Sequence, residues 1–216
     1  FLPSTVYTLC DPKLVERNEG KLYDLYVLSF QNFASSKVLP SLKGKKGVEL
    51  LQELLKRWEG HKIMARWLSR VFHYLNRYYL PRKALPSLME ASHSVFHDLV
   101  YSEMNGDIMD AVLSLVDRER DGERIDKSLM KEVVHIYVEM GEGSMKYYVR
   151  DFEPGLLDST SAYYSKKSQE RIETTDYEAK VKECLIQEKA RVSEYLEYKS
   201  LNRICEVCNS FLICCF

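Results

Sequence analysis

The sequence predicts an all-α protein with no significant sheet. Nine Gly and six Pro in 216 residues leave little material for the turns that many short strands would need. Apolar residues recur every three or four positions, and no segment of strand length alternates apolar with polar residues. A hydrophobic fraction of 45% and a charged fraction of 29% are typical of a globular protein.

The first predicted helix covers residues 21–39 and ends at Pro40, which lacks an N–H donor. Its apolar face consists of Leu22, Leu25, Tyr26, Phe30 and Phe33. A basic linker at 41–47 leads to a helix from Val48 to Trp58, and Gly60 is expected to break it from the next one.

Residues 60–89 contain six Lys/Arg, two His and no acidic residue, and predict a long helix that ends near Pro81. Helical spacing places an apolar stripe on one side, made of Ile63, Trp67, Val71, Tyr74 and Tyr78. A basic edge lies opposite, made of Lys62, Arg66, Arg70, His73 and Arg77. We expect Trp67 and Val71 to be part of the core, and the aromatic side chains to lie away from the basic edge.

Further helices are predicted to the end of the chain. Pro86 suits the first turn of one, and Asp107 and Asp126 are candidate caps of the next two. A long helix from 144 to about 172 is expected to kink at Pro154–Gly155, and another covers 177–196.

The sequence offers little that indicates catalysis or a cofactor. His93 and His97 have the spacing of metal ligands on a helix, but the Glu of the zincin pattern is missing, so we expect surface or half-buried histidines. Cys205 and Cys208 are weak candidates for a metal site, because the following pair at 214–215 is adjacent. No phosphate loop or nucleophile elbow occurs, and we expect neither an enzyme nor a cofactor.

Composition also bears on the partners. A net charge of −1 favours neither nucleic acid nor membrane, and no apolar run approaches the roughly 20 residues of a membrane span. No secretory signal is evident, which favours an intracellular, reducing compartment.

The segment RWLSRVFHYLNRYYLPRKALPSL resembles the first cullin repeat of cullins, closest to the plant cullin-1 type. Further matching segments are VFHDLVY, AVLSLVDRERDGERID, IYVEMGEGSMKYYVRDFE, TSAYYSKKS and KECLIQEKARVSEYL. The resemblance implies an elongated, α-solenoid-like stack of helical repeats. It implies a nearly complete first repeat at 1–141, the opening helices of a second at 142–198 and a divergent Cys-rich tail at 199–216.

The resemblance also implies a function in the cytoplasm and nucleus. Cullins are non-enzymatic scaffolds of ubiquitin ligases for protein degradation, and the cullin-1 type binds a Skp-type adaptor that carries an F-box protein. The adaptor-binding residues implied here are Leu2, Val6, Tyr7, Tyr74, Arg77 and Tyr78. Pro3 departs from the family pattern at the adaptor-binding helix. The RING-binding domain is missing, so no RING-subunit binding is expected.

Other interpretations remain open at this stage. One is a truncated cullin remnant that is either non-functional or dominant-negative, the latter by capturing the adaptor without delivering ubiquitin. Another is a nucleic-acid-binding module built on the basic helix, and a third is a zinc-binding tail.

Overall fold

A computed structural model describes residues 5–6, 8, 10, 18–169 and 177–213. This part of the chain consists of helices and their connections and contains no strand. The prediction of an all-α class is confirmed. The longer helices are α1 (Glu19–Phe33), α2 (Gly47–Val71), α3 (Leu88–Phe96), α4 (Ser102–Arg120), α5 (Lys127–Met140), α6 (Glu153–Gln169), α7 (Tyr177–Tyr195) and α8 (Leu201–Ile213). Among these described helices, none is long and apolar enough to cross a membrane.

Three prolines follow wide, π-helical turns. The turns at Ala34–Val38, Leu75–Tyr79 and Tyr148–Phe152 each end two residues before a proline, at 40, 81 and 154. Proline has no N–H to donate, and its ring clashes with the carbonyl four residues earlier. A wider turn relieves that clash. The helical chain therefore continues past Pro40 to Leu42 and past Pro81 to Lys83, where the sequence predicted an end.

The predictions at Gly60 and Asp107 also differ from the structure. α2 runs through Gly60, because Trp58 and His61 on either side are anchored in the core and their burial outweighs the ~1 kcal/mol propensity cost of glycine. Asp107 lies inside α4 instead of capping a helix. Asp126 does cap α5, since its carboxylate accepts a hydrogen bond from the Leu129 N–H at 3.0 Å.

The chain forms two compact units. One contains the residues up to Gly106 together with Met140–Glu142, and the other contains Asp107–Glu139 together with the residues from Gly143 onward. The predicted boundary between cullin repeats, at residue 141, stays a prediction. The two units are defined by which residues pack together, and this does not show where one sequence repeat ends and the next begins.

The core of the first unit is an aromatic cluster around His61. Its imidazole stacks on Trp58 with ring centroids 5.4 Å apart and contacts Phe30 at 5.1 Å and Phe96 at 4.9 Å. His93 lies 5.8 Å from it. Burial, with a smaller contribution from the charge of His93, lowers the pKa of His61 to about 3, so the ring is neutral at physiological pH.

The core of the second unit includes a buried ion network. One carboxylate oxygen of Glu188, Oε1, accepts hydrogen bonds from Arg120 at 2.9 Å, Arg191 at 2.8 Å and Tyr164 at 2.8 Å. The Arg120 side chain also donates to Thr160 at 2.7 Å. Burial disfavours the guanidinium charge, but the Glu188 carboxylate outweighs it and raises the pKa of Arg120. Charges that are this deeply buried are tolerated only as a set.

The Cys-rich segment at 199–216, predicted to be a divergent tail, contains α8. Ile204 and Cys208 on this helix are fully buried, and the helix packs against α6 and α7. The Ser200 hydroxyl donates to the buried Glu153 carboxylate at 2.8 Å, and Arg203 donates to it at 2.6 Å. The segment is therefore an ordered part of the second unit as far as its described residues extend.

Replacing Glu188 by Gln should destabilise the second unit by about 3 kcal/mol. The amide keeps the shape of the carboxylate but removes the charge that the two buried guanidinium groups share, so that only Asp117 still pairs with Arg120 and only Glu119 with Arg191. Urea unfolding followed by circular dichroism measures the loss. Glu183→Gln, on the exposed side of the same helix, is the matched control and should change the free energy of unfolding by less than about 0.5 kcal/mol. Equal effects of the two variants would contradict a structural role for the network.

Acid should weaken the first unit through His61. The pKa of His61 is about 3 in the folded state and 6.5 for an ordinary histidine, so the unfolded chain binds the proton more readily. The stabilisation of the folded state by neutral His61 is therefore complete above pH 6.5 and is lost as the pH falls toward 3. Between these limits, His61→Gln should reduce the slope of unfolding free energy against pH by about 1.4 kcal/mol per unit. The exposed control His73→Gln should leave that slope unchanged, and an unchanged slope in His61→Gln would refute this origin.

Candidate functional site

The second half of α2 and the turn after it present an exposed aromatic–basic face, formed by Ile63, Arg66, Trp67, Arg70, Arg77 and Tyr78. Trp67 is 60% exposed, Ile63 is 55% exposed and Tyr78 is 41% exposed. The Arg70 guanidinium lies 5.4 Å from the centre of the Trp67 ring, and that of Arg77 lies 5.4 Å from the Tyr78 ring. Each exposed ring on this face is therefore paired with a cation.

The expectation that Trp67 belongs to the core is wrong. The residues of α2 that face inward are Trp58, His61 and Ala65, and partly buried Leu68 and Phe72 continue this row. Trp67 stands two positions from Ala65, about 200° round the helix, and so points away from the core. Val71 does pack, partly buried, against Leu75 and its neighbours, as predicted.

This placement also corrects the predicted separation of aromatic and basic side chains. Trp67 and Arg70 share one surface, because residues three apart on a helix are neighbours. Arg66, Arg70 and Arg77 form no ion pair with a carboxylate within the part of the chain that the structure describes. The face is therefore a local concentration of positive charge on a chain whose net charge is −1.

Tyr74 lies beside this face and is partly buried. Its hydroxyl donates a hydrogen bond to the Cys10 carbonyl at 3.1 Å and lies 3.4 Å from the Glu19 carboxylate. Burial, followed by the negative charge of Glu19, raises the pKa of Tyr74. Its ring centre is 5.0 Å from that of Tyr78, so Tyr74 supports the exposed Tyr78 from below.

The predicted site residues near the N-terminus have different fates. Val6 is buried in a small cluster with Cys10 and Leu75, so it holds the N-terminal segment in place. Leu2 and Tyr7 lie outside the described residues, as does Pro3. Sequence reasoning missed Ile63 and Trp67 as surface residues. Counting the heptad-like row from Trp58 through His61, Ala65 and Leu68 would have placed both on the outer side.

The weak metal candidates do not form a metal site among the described residues. Cys208 is fully buried, and this burial raises the pKa of its thiol to about 12. No group of three or more His, Cys, Asp or Glu in the described ranges could hold a metal ion. The expectation that His93 and His97 are surface or half-buried is wrong, because both are buried. His93 lies on the core side of α3, and His97 begins the π-helical turn after it.

The chain is similar to known proteins of one family. The cullin alpha solenoid domain family matches residues 2–214, which includes nearly all of the segment predicted to diverge. Cullin-1 of Oryza sativa subsp. japonica is 47% identical over 209 residues, which cover 95% of this chain and 28% of the rice protein.

Two Arabidopsis thaliana proteins are also similar. Putative cullin-like protein 1 is 38% identical over 216 residues, covering 98% of this chain and 30% of that protein. Cullin-like protein 3 is 39% identical over 210 residues, covering 96% of this chain and 81% of that protein. The chain thus spans less than a third of the length of two of these three relatives. A family match over almost its whole length shows that the chain belongs to the cullin family.

Proposed function

We propose that this chain is a non-enzymatic scaffold segment for ubiquitin ligase assembly. Its aromatic–basic face would dock a Skp-type adaptor that carries an F-box protein. The observation that carries the proposal is the exposure of Trp67, stacked with Arg70, on a helix that is rigidly anchored by Trp58 and His61. Membership of the cullin family supports a ubiquitin ligase as the assembly in question.

The chemistry of the face fits a protein interface. Trp, Tyr and Arg are the residue types that dominate interface energetics, and here they lie together with exposed Ile63. An adaptor with an acidic rim would be steered by Arg66, Arg70 and Arg77, which form no ion pair with a carboxylate among the described residues. Val6 and Tyr74 would mainly support the face from inside the unit, because both already pack or form hydrogen bonds within it.

The chain spans 28% of rice Cullin-1, and the proposal concerns adaptor docking only. We propose that, in full-length cullins, other parts recruit the RING subunit. On its own, the chain would hold the adaptor in the cytoplasm or nucleus without delivering ubiquitin, and so would compete with full-length cullins. We therefore expect any dominant-negative effect to depend on the same face.

A second candidate is binding of single-stranded nucleic acid. The pairing of Trp67 with Arg70 and of Tyr78 with Arg77 places stacking surfaces beside cations, as such binding requires. Titration with a fluorescent oligonucleotide separates the two candidates, since binding to nucleic acid falls steeply with added salt.

Trp67→Ala should weaken binding of a purified Skp-type adaptor at least tenfold, because truncation of a central interface tryptophan typically costs more than about 1.4 kcal/mol. Isothermal calorimetry measures the dissociation constant. The free energy of unfolding should change by less than about 0.5 kcal/mol, since the side chain is exposed. Tyr198→Ala, at a more exposed aromatic position in the second unit, is the control and should bind like the parent chain. Unchanged affinity in Trp67→Ala would refute docking at this face.

Reversing charge at Arg66 and Arg70 should slow adaptor association about tenfold at low salt, because the basic face steers an acidic partner. Stopped-flow fluorescence at several salt concentrations gives the rate constants. The difference between parent and Arg66→Glu/Arg70→Glu should shrink as salt rises toward 1 M. A double reversal at Lys182 and Lys189, exposed cations on α7, controls for net charge. If both double variants slow association equally, the steering does not come from this face.

A further inference from the structure

The π-helical turn that follows α2 carries two residues of the aromatic–basic face, Arg77 and Tyr78. Both are exposed, whereas Leu75 at the start of the turn is fully buried. Tyr79 at its end packs against α1, where a β-carbon added to Gly20 would lie 3.1 Å from the Tyr79 hydroxyl. The turn is therefore anchored at both ends and presents its middle outward.

Asn76 links this turn to the start of α3. Its side-chain Oδ1 accepts a hydrogen bond from the Leu88 N–H at 2.9 Å. Leu88 is the first residue of α3, and the first N–H groups of a helix have no partner within the helix. Asn76 is therefore a cap of α3 that is supplied from 12 residues earlier in the chain.

The local cap of α3 leaves this role open for Asn76. The Ser87 hydroxyl accepts a hydrogen bond from the Glu90 N–H at 3.1 Å, and the Glu90 carboxylate accepts one from the Ser87 N–H at 2.9 Å. This capping box does not use the Leu88 N–H. Without an acceptor at residue 76, that N–H would lose its partner in partly buried surroundings.

Leu88 is itself fixed to the core of the first unit. Its side chain is fully buried, and its carbonyl accepts a buried hydrogen bond from the Tyr26 hydroxyl at 2.9 Å. The Tyr26 ring contacts that of Phe72, at the end of α2, with centroids 5.9 Å apart. The bond to Asn76 therefore ties the turn to a residue that the core already holds in place.

The width of the turn makes the direction of its side chains depend on such a link. Backbone hydrogen bonds in a π-turn join residues five apart instead of four, so the turn holds one additional residue. Neighbouring positions on a helix differ by about 100° in direction. The direction of Tyr78 relative to Trp67 therefore depends on the turn keeping its width.

We propose that Asn76 is a positioning residue of the adaptor-docking face, because its cap on α3 holds the π-turn at the width that presents Arg77 and Tyr78. The inference rests on the proposed function. Loss of the cap would let the turn adopt other arrangements, and only some of them would place these two side chains beside Trp67. Adaptor binding would then weaken by the fraction of chains that keep the competent arrangement.

Amide hydrogen exchange at Leu88, followed by NMR, measures the cap without an adaptor. Asn76→Ala should speed exchange of the Leu88 N–H about tenfold, because the donor loses its partner. Asn76→Asp keeps an oxygen acceptor at a helix N-terminus and should return this rate to within about twofold of the parent. The His97 N–H, which donates to the His93 carbonyl at the other end of α3, is the internal reference and should exchange at the parent rate.

Calorimetry with the purified adaptor tests the positioning role. Asn76→Ala should weaken binding about fivefold. Asn32→Ala makes the same change at an exposed asparagine of α1 and should bind like the parent. In an Arg77→Ala/Tyr78→Ala background, Asn76→Ala should change the dissociation constant by less than about twofold, because the side chains that it positions are gone. A residue that only stabilises the fold would act equally in both backgrounds.

The outcomes distinguish the cap, the positioning role and the proposed function. An unchanged Leu88 exchange rate in Asn76→Ala, or a parallel rise at His97, would overturn the cap. Faster Leu88 exchange with parent-like adaptor affinity, or an equal loss of affinity in both backgrounds, would overturn the positioning role. Faster Leu88 exchange in a protein that binds no adaptor, even in its parent form, would refute the proposed function and leave the cap standing.

Discussion

The anchoring of α2 by Trp58 and His61 is the constraint on which the first unit depends. Trp58 is fully buried and stacks on His61, and both contact Phe96. Helical geometry allows α2 no freedom once this row is fixed, because every residue is rotated by about 100° from its neighbour. The outward direction of Ile63 and Trp67 follows from the inward direction of His61 and Ala65. The rotation of α2 about its axis therefore determines both which of its residues are buried and which are exposed.

The two units meet the problem of buried polar groups differently. The first buries imidazole rings among aromatic side chains and keeps His61 neutral by lowering its pKa. The second buries full charges and compensates them, with Glu188 accepting from two guanidinium groups and a phenol. One arrangement is sensitive to acid, whereas the other is sensitive to removal of any single partner. The two units therefore lose stability for different reasons.

Local signals in the sequence were reliable where the cause is local. Asp126 caps α5 as predicted, whereas α3 begins at an unpredicted capping box of Ser87 and Glu90, so Pro86 lies just before the first turn in which it was expected. Prolines 40, 81 and 154 marked real irregularities, but a proline does not determine whether the chain stops or widens into a π-turn. That choice depends on how the residues after the proline pack: Leu42 after Pro40 and Leu156 after Pro154 are both buried. Gly60 and Asp107 misled for the same reason, since tertiary contacts on both sides outweighed a weak local preference.

By itself, the sequence determined the all-α class, the order of most helices and the family, because these follow from periodicity and from motifs that are contiguous in the chain. Tertiary structure alone decided which apolar stripe of α2 faces inward, that Val6 supports the site from beneath, and that α8 belongs to the second unit. The physical reason is that periodicity gives the angle between residues on a helix but not the direction of its neighbours. Only packed partners such as Phe30 and Phe96 convert that angle into a buried face and an exposed one.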